Sequence, residues 1–129
     1  QVYQLLGLLE SDAAAQAALH ASEQQLADLG RMHAELEAAA EQRERFFELN
    51  EAFHMSLLDI DGNRWRRQIV EDLRKVMKLN RHHSLFKQGR LRESLDEHRE
   101  LMAALQTRDG ERARALMQRH FRNGLEAAA

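Results

Sequence analysis

The feature that most constrains the fold is the complete absence of proline from 129 residues, together with only six glycines. Proline interrupts a helix more strongly than any other residue, and glycine is the next least favourable. Alanine, leucine, glutamate, arginine and glutamine dominate the chain instead, and all of them favour helices. We therefore predict an all-α fold, an antiparallel bundle of about six helices that forms one domain over residues 1–129.

Capping patterns define most of the predicted helix ends. They are, in chain order, the capping box of Ser22 with Gln25, the segment DGN at 61–63, the capping box of Ser94 with Glu97, and Asp109 as the last N-cap. A polar stretch around Gly89 is predicted to be the longest loop. The predicted helices cover residues 1–19, 23–39, 42–60, 64–82, 95–107 and 110–126.

Two polar side chains interrupt the apolar face of the third predicted helix. The stretch ELNEAFHMSLLD, residues 48–59, turns Phe53 and Leu57 inward by their helical spacing, and Asn50 and His54 lie on or beside the same face. A buried amide or imidazole without a partner costs on the order of 1 to 3 kcal/mol. The two residues therefore need a physical explanation.

Two further histidines lie on apolar helix faces, His98 in the fifth predicted helix and His120 in the sixth. One explanation is that each polar side chain in the core is satisfied separately by a carbonyl, a glutamate or a buried water. The other is a shared divalent metal, because neutral imidazole is the commonest metal ligand and the spacing of Asn50 and His54 places both on one helix face. The residues alone leave both explanations open.

The remaining histidines have simpler interpretations. His20 and His33 lie in amphipathic sequence rich in alanine and glutamate, which favours solvated or boundary positions. His82 and His83 close the fourth predicted helix, where a protonated imidazole interacts favourably with the helix dipole. We treat these four as mainly structural, although His83 is placed where it could face a cavity.

The overall charge excludes some classes of partner. Lysine and arginine number 19 against 21 acidic residues, a formal net charge of −2, so we do not expect the domain itself to bind nucleic acid. The absence of cysteine excludes disulfides and thiolate metal sites and fits the cytosol. No apolar run approaches the roughly 20 residues that span a bilayer. We expect a cytoplasmic protein with no membrane partner, of which this chain is a fragment.

Four segments occur in an order that is typical of one known family. They are LNEAFHMSLL, DGN, SLDEHRELMAAL and DGERARALMQRHF. In this order they resemble the FCD domain, the C-terminal domain of FadR-type GntR transcription regulators. The resemblance covers nearly the whole chain, and six helices are more similar to the shorter, VanR-like branch of that family.

The resemblance implies a bundle that binds an effector, usually a small carboxylate, in a central cavity that in many members holds a divalent metal. It assigns the metal ligands to Asn50, His54, His98 and His120, with zinc expected first and nickel, manganese or iron as alternatives. Glu97 is a candidate hydrogen-bond acceptor for a ligand histidine. The resemblance further implies a homodimer that binds DNA only through a winged helix-turn-helix, which we expect elsewhere in a longer protein.

The chain departs from the family pattern at two positions. The family commonly has Asp where this chain has Asn50, so a metal here would keep its full charge of +2 and attract an anionic effector more strongly. Leu6 occupies a position at which the family often has Arg. Either another cation, such as Arg81 at the end of the fourth helix, binds the effector carboxylate with Asn80 and His83 nearby, or the effector is smaller or less charged.

Two alternative functions remain at this point. A metalloenzyme could use three histidines and one oxygen ligand to activate water. The sequence offers no obvious general base for it, because Glu51 and Asp59 fall off the ligand face and Glu97 is explained as part of a cap. The second alternative is a metal-free structural interaction domain in which the core histidines are satisfied by the protein itself.

Overall fold

The structure of the chain is a computed structural model that describes residues 1–78 and 89–128, with side chains described as far as residue 124. Six helices follow one another in this part of the chain. They are α1 (Val2–His20), α2 (Glu23–Ala38), α3 (Arg43–Asp61), α4 (Arg64–Met77), α5 (Arg90–Gln106) and α6 (Gly110–Ala128). The all-α helical bundle predicted from the sequence is confirmed.

Several helix ends depend on the capping residues that the sequence indicates. The Ser22 hydroxyl accepts a hydrogen bond from the Gln25 amide, and the Gln25 side chain accepts one from the Ser22 amide, so α2 begins with a complete capping box. Gly62 ends α3 with a φ of +80°, a left-handed conformation that glycine adopts without steric cost. The Asn63 side chain then caps α4, and the Asp109 side chain caps α6.

The beginning of α5 differs from the prediction, because the helix starts at Arg90 and not at residue 95. The predicted capping box is wrong, since Ser94 and Glu97 lie inside the helix and are 1% and 8% exposed. The Glu97 carboxylate accepts hydrogen bonds from Arg90, two turns earlier, and from a histidine of α6. A buried ion pair along the helix therefore replaces the expected cap.

Helix α1 lies at the centre of the packing. It packs most extensively against α6 and also contacts α3, α4 and α5, while α2 packs on α3 and α5. Its buried face consists largely of alanines, whose small side chains allow neighbouring helices to approach closely. A Cβ atom at Gly110, where α6 begins, would lie 3.2 Å from the Ala15 carbonyl oxygen, so a larger residue there would push α1 and α6 slightly apart. Larger side chains fill the rest of the core, including Leu29, Leu36, Phe46, Phe53, Leu57, Leu58, Val70, Leu101, Leu105 and Met117.

The end of the fourth helix can be compared with the prediction only in part. The described helix runs to Met77, with Lys78 as its C-cap, whereas the sequence predicts a helix to residue 82. The predicted effector-binding residues Asn80, Arg81 and His83 lie outside the described residues. Among the described helices, none is both long enough and apolar enough to cross a bilayer.

Candidate metal centre

Three histidine side chains from three helices meet inside the bundle. The ring centroids of His54 on α3, His98 on α5 and His120 on α6 are 5.1 to 5.2 Å apart. One ring nitrogen of each histidine lies within 4.8 Å of the others. His54 and His98 are each 1% exposed, and the His120 side chain is 12% exposed. The fold thus brings together the three histidines that the sequence analysis selected.

Asn50 lies one helical turn before His54 on α3. It lines the same small cavity as His54 and His120. Its Oδ1 atom is buried and has no hydrogen-bond partner among the described residues. Carbonyl oxygens are common ligands of divalent cations. The position of Asn50 is therefore compatible with the ligand role that the resemblance implies.

Candidate ligand atoms of Asn50, His54 and His98 are also buried atoms without partners. Within the described ranges, Nε2 of His54 and both ring nitrogens of His98 make no hydrogen bond. Leaving a buried polar group unsatisfied costs about 1 to 3 kcal/mol. A divalent transition metal would use the lone pairs of imidazole nitrogens and of an amide oxygen. Three imidazoles with one amide oxygen therefore form a donor set that fits such a metal.

Two of these imidazoles are held in the form that binds metals. Burial lowers the pKa of His54 to about 4, and the nearby Arg74 guanidinium adds to this effect while Glu10 opposes it. Burial also lowers the pKa of His98 well below its usual value, with a further contribution from His120. His54 and His98 are therefore neutral near pH 7, as a metal ligand must be.

A fully buried set of side chains orients His54, and we call His54, Glu10 and Arg74 the Glu10 network. Nδ1 of His54 lies 2.8 Å from Oε1 of Glu10, and Arg74 donates two hydrogen bonds of 2.9 Å to the same carboxylate. Burial acts to raise the pKa of Glu10, but Arg74 and His54 lower it to about 2. The ionised carboxylate holds the proton on Nδ1, so that Nε2 presents its lone pair to the cluster.

A second set orients His120, and we call His120, Glu97 and Arg90 the Glu97 network. Nδ1 of His120 lies 2.6 Å from Oε1 of Glu97, and Arg90 donates to both carboxylate oxygens at 2.9 and 3.2 Å. Asn123 donates a further hydrogen bond to Glu97. Burial acts to raise the pKa of Glu97, but these partners lower it to about 2. Glu97 thus accepts from His120, and not from His98, its neighbour in the sequence.

A cavity of about 60 Å³ adjoins the histidine cluster. Its described wall includes Asn50, His54 and His120, and also the two arginines of the networks, Arg74 and Arg90. A single water needs on the order of 10 to 15 Å³ of such space, so there is room for a few waters or a small anion. The cavity therefore combines candidate metal ligands with two guanidinium groups.

Three residues of the two networks were not predicted from the sequence, namely Glu10, Arg74 and Arg90. A usable signal existed for two of them. Glu10 lies one turn after the buried Leu6, and Arg74 lies one turn after the buried Val70, so each is a polar residue on an apolar helix face. Arg90 was missed because it lies in the stretch predicted to be a loop, where no periodicity was expected.

The family profile of the FCD domain matches residues 1–123. This chain belongs to the FCD domain family. The match includes all four candidate ligands, and membership of the family indicates an effector-sensing regulatory domain rather than an enzyme.

Among solved structures, this FCD domain has the fold of E. coli McbR/YncC, with a TM-score of 0.87 and 22% sequence identity. The superposition covers 98% of this FCD domain and 62% of the McbR/YncC chain, so the domain spans less than two thirds of that neighbour. At this level of identity the likeness concerns the fold alone. A search of curated proteins gave no match.

Proposed function

We propose that this FCD domain is the effector-sensing and dimerisation domain of a bacterial GntR-type transcription regulator. In this proposal Asn50, His54, His98 and His120 hold a divalent transition metal, zinc first and nickel, manganese or iron as alternatives. The effector is a small organic acid that binds at the metal. DNA binding belongs to a winged helix-turn-helix elsewhere in the longer protein, and we expect that protein in the cytoplasm.

One observation supports the metal site most strongly. Among the residues that the structure describes, buried ligand atoms without partners on α3 and α5 lie next to His120 of α6 and beside a cavity. A metal-free domain would have to bear the cost of each unsatisfied group, which is about 1 to 3 kcal/mol. A metal removes that cost for several atoms at once.

The charges around the cavity favour an anionic effector. Asn50 and the neutral imidazoles contribute no charge to the ion, and Glu10 and Glu97 are already paired with arginines. Glu51, which was expected to fall off the ligand face, lines the cavity and is paired with Lys78. A bound ion supplies a Lewis-acidic centre that accepts a carboxylate oxygen. Arg74 and Arg90 line the same cavity and would orient the remaining part of the anion.

Hydrogen bonds of the Glu10 network connect the residues beside the cavity to other helices of the bundle. The candidate ligands come from three helices, and the Glu10 network joins one of them to α1 and α4. Effector binding that favours one packing of these helices would shift the population of domain arrangements. Such a shift requires that the effector bind the two arrangements with different affinities.

The metalloenzyme alternative has less support. A general base works best with a pKa near the working pH. Glu10 and Glu97, the carboxylates that contact the cluster, have pKa values of about 2 and are committed to arginines. Neither carboxylate is suited to accept a proton from water near pH 7.

Calorimetric titration tests the proposal. The zinc-loaded domain would be titrated with a panel of small monocarboxylates, dicarboxylates and hydroxycarboxylates. We expect saturable binding of at least one acid, which is lost after treatment with a chelator. His120→Ala should lose this binding, whereas His20→Ala, a change at an exposed histidine of α1, should retain it. Failure of every acid to bind, or equal binding with and without metal, would contradict the proposal.

The homodimer is a separate element of the proposal. GntR-type regulators read their operators with two DNA-binding domains, and the effector domain is expected to hold the two chains together. Light scattering after gel filtration should therefore give a mass of twice 15.0 kDa. A monomer mass over a broad range of concentrations would remove dimerisation from the assigned function.

A further inference from the structure

His98 is the histidine of the cluster for which neither network supplies an acceptor. It is 1% exposed, and neither ring nitrogen has a hydrogen-bond partner in the part of the chain that is described. The Phe53 ring stacks on its face with a centroid distance of 4.9 Å, which gives packing but no acceptor for an N–H group. If one nitrogen binds a metal, the other carries a proton and requires a partner.

His33 on α2 is the neighbour that can supply this partner. Its ring centroid lies 6.3 Å from that of His98, and the two ring planes are tilted by 34°. Nδ1 of His33 is itself buried and without a hydrogen bond to any described residue. Two neighbouring imidazoles thus each contain a buried nitrogen in need of a partner.

The other nitrogen of His33 determines what Nδ1 can do. Nε2 lies 2.8 Å from Oε1 of Glu37, and Arg99 donates a hydrogen bond of 2.7 Å to the same oxygen. An ionised carboxylate accepts hydrogen bonds and donates none, so Nε2 carries the proton in neutral His33. Nδ1 of His33 then carries no proton, and its lone pair can accept a hydrogen bond from the N–H group of His98.

The sequence agrees with this placement. Leu29 and Leu36 are fully buried on α2, and His33 lies between them at spacings of four and three residues. His33 therefore belongs to the inward edge of its helix, and its side chain is only 13% exposed. A boundary position for His33 was expected from the sequence, and this exposure fits it. A boundary position does not explain why Nδ1 of His33 is buried without a partner.

We propose that His33 is the positioning residue of His98, with Nδ1 of His33 accepting the N–H group of His98 directly after a small ring rotation or through one water. Glu37 fixes the tautomer of His33, and Arg99 fixes Glu37. This inference rests on the proposed metal site and extends it. His98 then has a third network, formed by His33, Glu37 and Arg99, which corresponds to the Glu10 and Glu97 networks.

Substitution of His33 tests the inference through metal affinity. His33→Leu removes the acceptor, and His33→Asn retains a short side chain with an acceptor oxygen close to the position of Nδ1. Zinc affinity would be measured by competition with a coloured chelator, alongside His20→Leu as the control. Loss of an outer partner of a ligand typically lowers metal affinity 10- to 100-fold. We expect a loss of this size in His33→Leu, a change of no more than about threefold in His33→Asn, and no change in His20→Leu.

The melting temperature of the chelator-treated protein separates positioning from packing. We expect His33→Leu and the wild type to melt within a few degrees of each other without zinc and to differ clearly with zinc. Wild-type affinity in His33→Leu, or equally weak affinity in His33→Asn and His33→Leu, would overturn the inference while leaving the metal site in place. A wild type that binds no zinc would overturn the proposed function and this inference together.

Nitrogen-15 NMR of the wild-type imidazoles gives a test that needs no variant. With zinc bound, His33 should be neutral with its proton on Nε2, and the free ring nitrogen of His98 should carry a slowly exchanging proton. A proton on Nδ1 of His33 would overturn the inference, because that nitrogen would then be a donor.

Discussion

The Glu10 and Glu97 networks use the same chemistry in different surroundings. Each joins a histidine of the cluster to a glutamate and then to an arginine. In the Glu10 network all three side chains are 1 to 5% exposed and come from α3, α1 and α4. In the Glu97 network the glutamate and arginine lie on one helix, and the histidine side chain is 12% exposed.

The difference suggests a division of roles. Glu10 links residues that are 44 and 64 positions away in the sequence, so its contacts form only when the bundle has folded. Arg90 and Glu97 are seven residues apart on α5, and Arg90 has the additional neighbours Glu93 and the His120 carbonyl. We expect the Glu10 network to contribute mainly to the stability of the fold. We expect the Glu97 network to contribute mainly to the metal affinity of the site.

The largest loss of folding stability is expected from Glu10→Gln. This change leaves the Arg74 guanidinium, which is 4% exposed, without its charged partner. Removing one member of a buried ion pair typically costs about 3 to 5 kcal/mol. Urea denaturation of the chelator-treated domain should show a loss of this size. Glu111→Gln, a change at a side chain that is 88% exposed, should alter stability by less than about 0.5 kcal/mol. Equal stability of the two variants would remove the folding role of the Glu10 network.

A pH titration of stability should reveal the buried histidine of the Glu10 network. Below pH 6.5 the unfolded chain binds a proton at His54 that the folded metal-free chain excludes down to about pH 4. The stability that neutral His54 contributes is therefore complete above pH 6.5 and is lost as the pH falls towards 4. We expect a loss of roughly 3 kcal/mol from His54, with a similar direction for His98.

Glu10 acts in a lower range of pH. Its pKa is about 2 in the folded chain against a usual value of 4.5, so its contribution is complete above 4.5 and is lost as the pH falls towards 2. Urea denaturation at several pH values, with chelator present, should show the histidine step in the wild type and a smaller step in His54→Phe. A stability that is constant between pH 7 and about pH 4 would contradict the burial of neutral imidazoles.

Glu97→Gln should have a smaller effect on folding than Glu10→Gln. Arg90 keeps its contacts with Glu93 and with a backbone carbonyl, so we expect a loss of about 1 to 3 kcal/mol. Zinc affinity should fall more clearly, by about 10- to 100-fold, because the neutral amide oxygen is a weaker acceptor for His120 than the ionised carboxylate that orients it. Chelator competition on the two glutamine variants would compare the networks directly. A larger folding loss in Glu97→Gln than in Glu10→Gln would reverse the assigned roles.

Asn50→Asp should give the smallest of the free-energy changes predicted here, and it should act on metal affinity. The added carboxylate lowers the charge of a metal site from +2 to +1, which strengthens metal binding and weakens attraction for an anion. We expect zinc to bind roughly tenfold more tightly, a change of about 1.4 kcal/mol. Binding of the organic acid identified by calorimetry should weaken by a similar factor. Unchanged affinity for both would argue that Asn50 is not a ligand.

Much of the fold could be predicted because its determinants are local. Ser22 with Gln25, and Gly62 with Asn63, are recognisable from a few neighbouring residues, and the structure uses them as expected. The start of the fifth helix was predicted incorrectly because a capping pattern at Ser94 suggested a helix N-terminus where the structure has a buried ion pair within the helix. The partners of that ion pair were not recognisable from sequence spacing.

The candidate histidines could also be selected from local sequence, because each is a polar residue on an apolar helix face. Glu97 was named as a candidate acceptor because it is next to His98 in the sequence, although its partner is His120. Glu10 was not named, because it meets His54 across 44 residues and spacing carries no information at that distance. The role of His33 depends on the direction of one ring nitrogen, which helical periodicity does not specify. The candidate ligands can thus be selected from local sequence patterns, whereas most of their hydrogen-bond partners can be identified only from the tertiary structure.

The most direct test of the central claim is the metal content of the purified domain, measured together with its melting temperature before and after chelation. We predict about one zinc per chain after reconstitution, and a melting temperature that falls by about 10 to 20 °C on chelation, as expected for a ligand present at roughly a thousand times its Kd. His98→Ala should contain no stoichiometric zinc. A wild type without stoichiometric metal, whose melting temperature does not change in chelator, would contradict the metal centre.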